Sequence, residues 1–312
     1  MIRAWELIVM PEQIVVGVDA AWRRSGALDW ALSEAGLRRL RLRAVHVVDQ
    51  SPRHEDVTPI RVDGQVIRPA PVPEHDRRLV DELEQYLAEA GPALDLSADV
   101  LVGVPDERLA DLSASAELTV VGRRGFGGFT RLLIGSTSES VAIHADGPVV
   151  VVPTGWQRRK HARGPIVVGV DGHEQNEVAL EFAFEMATVH QAPLWLVHAW
   201  DVPAPYTWDV AAATGMRDQW ERSAREWLDT VVEQWHRKYP DIALRSELRQ
   251  SHPVVALLDA AESAGAQLIV VGGHRHRLPG LMIGSVARGV LHHATVPVAV
   301  AHERATSSLG QQ

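Results

Sequence analysis

An internal duplication is the feature of this sequence that most constrains its fold. The hexapeptide Ile-Val-Val-Gly-Val-Asp at residues 14–19 recurs unchanged at residues 166–171. Two further anchors follow in the same order in both halves: Val-Val-Gly at residues 120–122 and 270–272, and Gly-Ser at residues 135–136 and 284–285. Ordered anchors at nearly constant separation indicate that a whole domain was duplicated, because the repeat is far longer than the ~20–50 residues of a solenoid unit.

The repeat divides the 312 residues into two domains, in keeping with the usual size of about 150 residues per domain. We predict a first domain at residues 1–155 and a second at residues 165–312, in which residues 302–312 form a flexible tail. Residues 156–164 form a linker that carries four basic side chains. A solvated tether between two acidic domains is the simplest interpretation of this linker, and a docking site for an acidic partner is the alternative.

Each half alternates short apolar runs with amphipathic stretches. Runs rich in valine and isoleucine are typical of strands buried on both faces of a parallel sheet, and in the first half they occupy residues 14–18, 42–48, 98–102, 118–121 and 149–152. Leu79, Leu83 and Leu87 have the spacing of one face of a helix. Trp220, Trp227 and Trp235 have the same kind of spacing, and we interpret these tryptophans as packing residues. The pattern predicts an α/β fold of two tandem, open, parallel five-stranded sheets with helices on both faces.

Composition and charge argue against several classes of protein. The absence of cysteine excludes disulfide frameworks, cysteine-ligated metals and thiol catalysis. A net charge of −9 argues against a nucleic-acid partner, because little would neutralise a phosphate backbone. No run reaches the roughly 18–20 apolar residues of a membrane span, and the N-terminus lacks a signal-peptide pattern, so we expect a cytoplasmic protein.

Acidic residues follow the first strand of both halves. Open parallel sheets bind ligands beyond the carboxyl ends of their strands, so Asp19 and Asp171 occupy informative positions. A carboxylate there can accept hydrogen bonds from ligand hydroxyls such as those of ribose. The alternative is that each aspartate caps the helix that follows.

A glycine-rich segment follows the fourth strand of the first half. Gly122, Gly125 and Gly135 permit close approach of a ligand to the backbone, and Ser136 opens a helical stretch that reaches about His144. The start of a helix offers unpaired N–H donors and a positive dipole, which suit phosphate. The spacing matches neither the Walker loop nor the first-strand dinucleotide fingerprint. A flexible loop with a serine cap is the alternative.

With these residues the chain resembles the universal stress protein family, in its tandem-domain, ATP-binding form. The resemblance rests on Gly122-x2-Gly125-x9-Gly135-Ser136, on the Val-Gly-Val-Asp start of each half and on the proline and valines of the last strands, and it covers residues 13–153 and 165–302. It implies ATP, with or without Mg²⁺, as the ligand. It also implies that Asp19 contacts ribose, that the Val47 backbone meets adenine, and that phosphates are cradled by Gly122, Gly125, Gly135 and Ser136.

The second half departs from this pattern. The segment from Gly272 to Gly284 is one residue shorter than its counterpart, and Arg275 replaces the second glycine. A second, altered site would retain Asp171, Gly272, Gly284 and Ser285. His274 and His276 lie in the same segment without an adjacent carboxylate, so we predict no metal site there.

The resemblance and the phosphate-binding pattern together predict an ATP-binding stress-response regulator with at most slow ATP hydrolysis, since no catalytic residue set is evident. A nucleotide-independent dimerising scaffold is one alternative, and an ATP-using adenylyl- or phosphotransferase is another. The last strands, residues 149–152 and 298–301, are expected to pair, either within the chain as a pseudo-dimer or between chains as a homodimer. The proline-rich stretch at residues 49–75 is interpreted as a lid or as a plain surface excursion.

Overall fold

The computed structural model describes residues 13–49, 72–90, 94–125, 133–157, 164–171, 176–201, 210–273 and 283–303. Several predicted features lie outside these residues: most of the proline-rich stretch, the middle of the first glycine-rich segment, most of the basic linker, the loop that contains His274, Arg275 and His276, and the tail beyond residue 303.

The described residues alternate strands and helices in both halves. The first half contains β1 (Gln13–Val18), α1 (Trp22–Ser25), α2 (Ala27–Arg38), β2 (Arg41–Val48), α3 (Glu74–Ala90), β3 (Leu96–Val102), α4 (Pro105–Ser113), β4 (Leu118–Gly122), α5 (Ser136–His144) and β5 (Val149–Val152). The second half contains β6 (Ile166–Val170), α6 (Asn176–His190), β7 (Leu194–Trp200), α7 (Val210–Lys238), β8 (Leu244–Gln250), α8 (Pro253–Ala264), β9 (Leu268–Gly272), α9 (Ser285–His293) and β10 (Val298–Ala301).

All ten strands belong to one continuous sheet, in the order β3-β2-β1-β4-β5-β10-β9-β6-β7-β8. Neighbouring strands are parallel within each half, which confirms the predicted five-stranded sheets. The two sheets join where β5 and β10 pair antiparallel, with Ala299 opposite Val150. This pairing satisfies backbone groups that would otherwise form two exposed sheet edges. The last strands therefore pair within the chain, as a pseudo-dimer.

Two hydrophobic cores cover the two faces of the sheet. Alternate residues of one strand enter different cores, so that Ile14 and Val16 pack beneath α2 and α3 whereas Val15 packs on the side of α4 and α5. This alternation explains the continuous apolar runs, because both faces of the central strands are covered and their valines, isoleucines and leucines are buried. The edge strand β3 is half-buried throughout and begins at Leu96, earlier than its apolar run predicts, since an edge tolerates the polar Ser97.

Two of the three tryptophans of α7, Trp227 and Trp235, pack against the second domain, as predicted. Trp235 is buried, and its ring stacks on Phe184 with centroids 5.1 Å apart. Trp227 is partly buried and lies 4.7 Å from the ring of His198. In the described part of the chain, no helix is long and apolar enough to cross a membrane.

A buried polar network joins α2 of the first domain to α6 of the second. Glu34 is only 1% exposed, and its carboxylate lies 3.2 Å from Arg38 Nε and 2.6 Å from His190 Nε2. Arg38 also contacts Glu185 at 2.7 Å. Burial by itself lowers the pKa of Arg38, but the hydrogen bonds and charges of Glu185 and Glu34 raise it by more than burial lowers it. The net shift of the pKa is therefore upward. The guanidinium is therefore held as a cation between the domains.

Candidate functional site

The structure brings Asp19 and Gly125 together at the carboxyl ends of β1 and β4. Asp19 Oδ1 accepts a hydrogen bond from the Ala21 backbone N–H at 2.9 Å, which stabilises the turn before α1. The carboxylate lies so close to Gly125 that a β-carbon at that position would overlap it. Asp19 thus shapes a local turn and also faces the glycine-rich segment, but it does not cap α1, whose N-cap is Ala21 and which has no side-chain cap. We call the surroundings of Asp19, Gly122, Gly125, Gly135 and Ser136 the first site.

Both ends of the glycine-rich segment are fixed by hydrogen bonds. The Gly135 N–H donates to the Arg123 carbonyl oxygen at 2.8 Å, and Ser138 Oγ donates to the Gly122 carbonyl oxygen at 2.6 Å. A β-carbon at Gly122 would lie 2.9 Å from the Ser25 β-carbon, so that glycine is required by packing against α1. The first and last residues of the segment therefore lie close together, beside the carboxyl end of β4.

Helix α5 begins where the sequence predicts. Gly135 is its N-cap, with an extended backbone of φ −77° and ψ 148°, and no side chain caps this end. Ser136 is the first helical residue and is exposed. The structure thus gives no support to a serine-cap role, and the N–H groups of the first turn have no partner within the helix.

Val47 lies at the carboxyl end of β2, beyond the point where β1 ends opposite His46. It is buried and pairs in register with Leu101 of β3. The preceding His46 is buried, with Nδ1 3.0 Å from the Val18 carbonyl oxygen and Nε2 2.8 Å from Asp76 Oδ1. Asp76 of α3 was not identified from the sequence, because an acidic residue in the first turn of a helix is unremarkable there.

The second domain contains a cavity of about 220 Å³ at the carboxyl ends of its strands. We call it the second cavity. It brings together all four residues that the altered repeat retains: Asp171, Gly272, Gly284 and Ser285. Its other walls are largely apolar and are formed by Gly169, Val170, Val197, Ala199, Pro253, Leu257, Val271, Val286 and Ala287. Ala199 is the repeat counterpart of Val47.

Sequence reasoning missed the contribution of α8 to this cavity. Pro253 and Leu257 belong to the first turns of that helix and line the second cavity. A signal was available, since the proline lies three residues after the end of β8 and strand-to-helix turns at that edge of the sheet line ligand sites.

Arg123, in the glycine-rich segment, contacts the second domain. Arg123 Nη1 donates a hydrogen bond to the Ala294 carbonyl oxygen of the second domain at 2.5 Å, so its guanidinium is used between domains. Burial and the charge of Arg124 lower the pKa of Arg123.

Within the described residues, no group of three His, Asp or Glu side chains could hold a metal ion.

The first site and the second cavity both offer groups that can bind a ligand. Carboxylates at the ends of β1 and β6 can accept hydrogen bonds from hydroxyl groups. The starts of α5 and α9 offer N–H donors and a positive dipole to an anion. The apolar walls of the second cavity can contact an apolar or aromatic group.

Comparison with known proteins identifies the family. The profile of the universal stress protein family matches residues 10–153 and 163–302. A universal stress protein of Mycolicibacterium smegmatis is 32% identical over 300 residues, covering 93% of this chain and 97% of the relative. One from Mycobacterium tuberculosis is 31% identical over 304 residues, covering 92% and 94%. The crystal structure of a universal stress protein from Archaeoglobus fulgidus has the same fold, with a TM-score of 0.63 at 17% identity, covering 93% of this chain and 98% of that one. This chain therefore belongs to the universal stress protein family, in its tandem-domain form.

Proposed function

We propose that this protein is a cytoplasmic stress-response regulator that binds ATP in both domains. The observation that carries the proposal is the second cavity, which is lined by the four residues that the repeat shares with the first site. Residues from three separate segments, at positions that correspond in the two copies, form one concave surface. Structural packing alone does not require such a surface at the ligand-binding edge of an open parallel sheet.

The lining residues fit the parts of ATP. Asp19 and Asp171 would accept hydrogen bonds from the ribose hydroxyls. The β2 backbone at Val47 and the β7 backbone at Ala199 would lie beside adenine. The phosphates would meet Gly122, Gly125, Gly135 and Ser136 in the first domain and Gly272, Gly284 and Ser285 in the second. When Mg²⁺ accompanies ATP, its charge offsets that of the phosphates.

ATP would act here chiefly as a regulatory ligand. The sequence has no Walker-type lysine, and only two lysines occur in the whole chain, at positions 160 and 238. Helix dipoles and backbone N–H groups hold phosphates without activating water. Hydrolysis is therefore expected to be slow, and the bound nucleotide would instead stabilise one arrangement of the domains.

Binding stoichiometry tests the proposal. Isothermal titration of the intact chain with ATP and Mg²⁺ should give two sites, and Asp19→Ala or Asp171→Ala should each weaken one of them. Loss of a charge-assisted hydrogen bond of about 1.5–3 kcal/mol corresponds to roughly 10–100-fold weaker binding at that site. The double variant should be weakened at both sites.

Gly36→Ala is the matched control, because it lies on an exposed face of α2 where a β-carbon meets no atom within 4 Å. It should bind ATP like the unchanged chain. Absence of binding by the intact chain at millimolar ATP would refute the proposal. The antiparallel pairing of β5 with β10 would then favour the scaffold, in which the paired domains themselves are the functional unit.

A further inference from the structure

We propose that the first site and the second cavity are coupled, so that occupancy of one changes the affinity of the other, through two reciprocal contacts between the domains. In one, Arg123 of the first domain binds the end of α9; in the other, His302 of the second domain binds α5. This inference rests on the proposed function, because it concerns the same two nucleotide sites.

Arg123 connects the first site to α9, the helix whose first residue lines the second cavity. Its carbonyl oxygen accepts the Gly135 N–H at 2.8 Å, so its backbone holds the start of α5. Its side chain donates to the carbonyl oxygen of Ala294, the C-cap of α9, at 2.5 Å. The other end of α9 begins at Ser285, which lines the second cavity. A shift of Arg123 would therefore be felt at α9.

His302 makes the reverse connection. It is 3% exposed, follows β10, and lies with its ring against Gly273, where a β-carbon would overlap the ring. Its Nε2 lies 2.8 Å from the Ala142 carbonyl oxygen of α5. A carbonyl oxygen only accepts, so this nitrogen carries the proton. Gly273 directly follows Gly272 of the second cavity, and α5 begins at the first site.

The two contacts are made from different positions of the repeat. The counterpart of Arg123 is Gly273, and the counterpart of His302 is Pro153. One domain therefore has a long side chain after its fourth strand, and the other has one after its last strand. Both side chains reach a carbonyl oxygen toward the end of the partner domain's helix. Because different residues make the same kind of connection in the two halves, each connection can be removed separately.

The connecting helices are short enough to transmit a displacement. Each has nine residues, which corresponds to about 13 Å at 1.5 Å per residue. They also contact one another, since Arg288 Nε lies 2.7 Å from Glu139 Oε1. A helix held at its start by a ligand and at its end by the other domain moves as one body, which is the physical basis of the coupling.

The test measures ATP affinity at the first site while the second cavity is open or filled. The chain contains no cysteine, so Leu133→Cys, at a 43% exposed position beside Gly135, permits labelling with one environment-sensitive fluorophore. Val286→Trp would fill the second cavity from a half-buried position that lines it. We expect filling to change the affinity of the labelled chain for ATP by about fivefold or more.

The uncoupled chain carries Arg123→Met, His302→Phe and Glu139→Gln, which removes both donors and the ion pair between Arg288 and Glu139. In this background the effect of Val286→Trp should fall below about twofold, whatever the absolute affinity. Arg124→Met is the matched control, and the effect of filling should persist there. Thermal unfolding followed by circular dichroism checks that each variant is folded.

The outcomes separate the two proposals. If Val286→Trp has no effect in the labelled chain, or the same effect in the uncoupled chain, the coupling is refuted while ATP binding stands. If neither the fluorophore nor calorimetry detects ATP, the proposed function fails and the coupling fails with it.

Discussion

Substitution of Glu34 by methionine tests whether the buried network between α2 and α6 stabilises the two-domain chain. Methionine occupies the equivalent position of the second repeat, Met186, and is a good helix former. The change therefore keeps the size and helical preference of the side chain. It removes only the carboxylate that lies 3.2 Å from Arg38 Nε and 2.6 Å from His190 Nε2.

The expected magnitude follows from the burial of the three side chains. Their exposures are 1% for Glu34, 7% for Arg38 and 14% for His190, so solvent screens the network weakly. Removing one partner of a buried ion pair costs about 3–5 kcal/mol. Arg38 keeps Glu185 at 2.7 Å, so we expect a smaller loss, of about 2–3 kcal/mol in the free energy of unfolding.

Thermal and urea unfolding, followed by circular dichroism, measure this loss. The midpoint temperature should fall by about 4–10 °C, and the curves should be fitted with an intermediate allowed, because two-domain chains need not unfold in one step. Glu181→Gln is the control, since Glu181 pairs with Lys238 at 2.8 Å on the surface, with side-chain exposures of 62% and 52%, and its loss should cost less than about 1 kcal/mol. An unchanged or higher midpoint for Glu34→Met would show that the network does not stabilise the fold.

Two further predictions concern the first domain. Burial, together with the hydrogen bond to Asp29 and its charge, raises the pKa of Tyr86 to about 12 from its ordinary 10.0. The stability that this phenol contributes is therefore complete below pH 10 and is lost as the pH rises toward 12. Between these pH values the urea midpoint should fall less steeply for Tyr86→Phe than for the unchanged chain. Equal slopes for the two proteins would contradict the assignment. Gly36→Ala should stabilise the chain by about 0.5–1 kcal/mol in urea unfolding, because its β-carbon meets open space. Gly26→Ala should destabilise it, since Gly26 has a φ of +74° and a β-carbon there lies 3.1 Å from the Trp156 carbonyl oxygen; the same sign for both variants would refute this reasoning.

The placement of the candidate site was predictable in part. Asp171, Gly272, Gly284 and Ser285 are assigned from the repeat, and the structure shows that they line one cavity. The participation of Pro253 and Leu257 was not predicted, because only packing of α8 against the sheet brings them there. The interdomain use of Arg123 was also not predicted, since the sequence around it contains no information about Ala294.

The sequence by itself determined the duplication, the parallel α/β fold of each half, and the start of α5 at Ser136. Those features are local: buried strands need continuous apolar runs, and a Gly-Ser pair at a strand-to-helix turn marks a helix start. Only the tertiary structure decided that the two sheets join at β5 and β10 and that Glu34 meets His190. It also decided that Arg123 and His302 each reach the other domain. These contacts join residues more than a hundred positions apart in the sequence, and Arg123 and Ala294 are 171 positions apart. They depend on how whole surfaces pack, which no local pattern specifies.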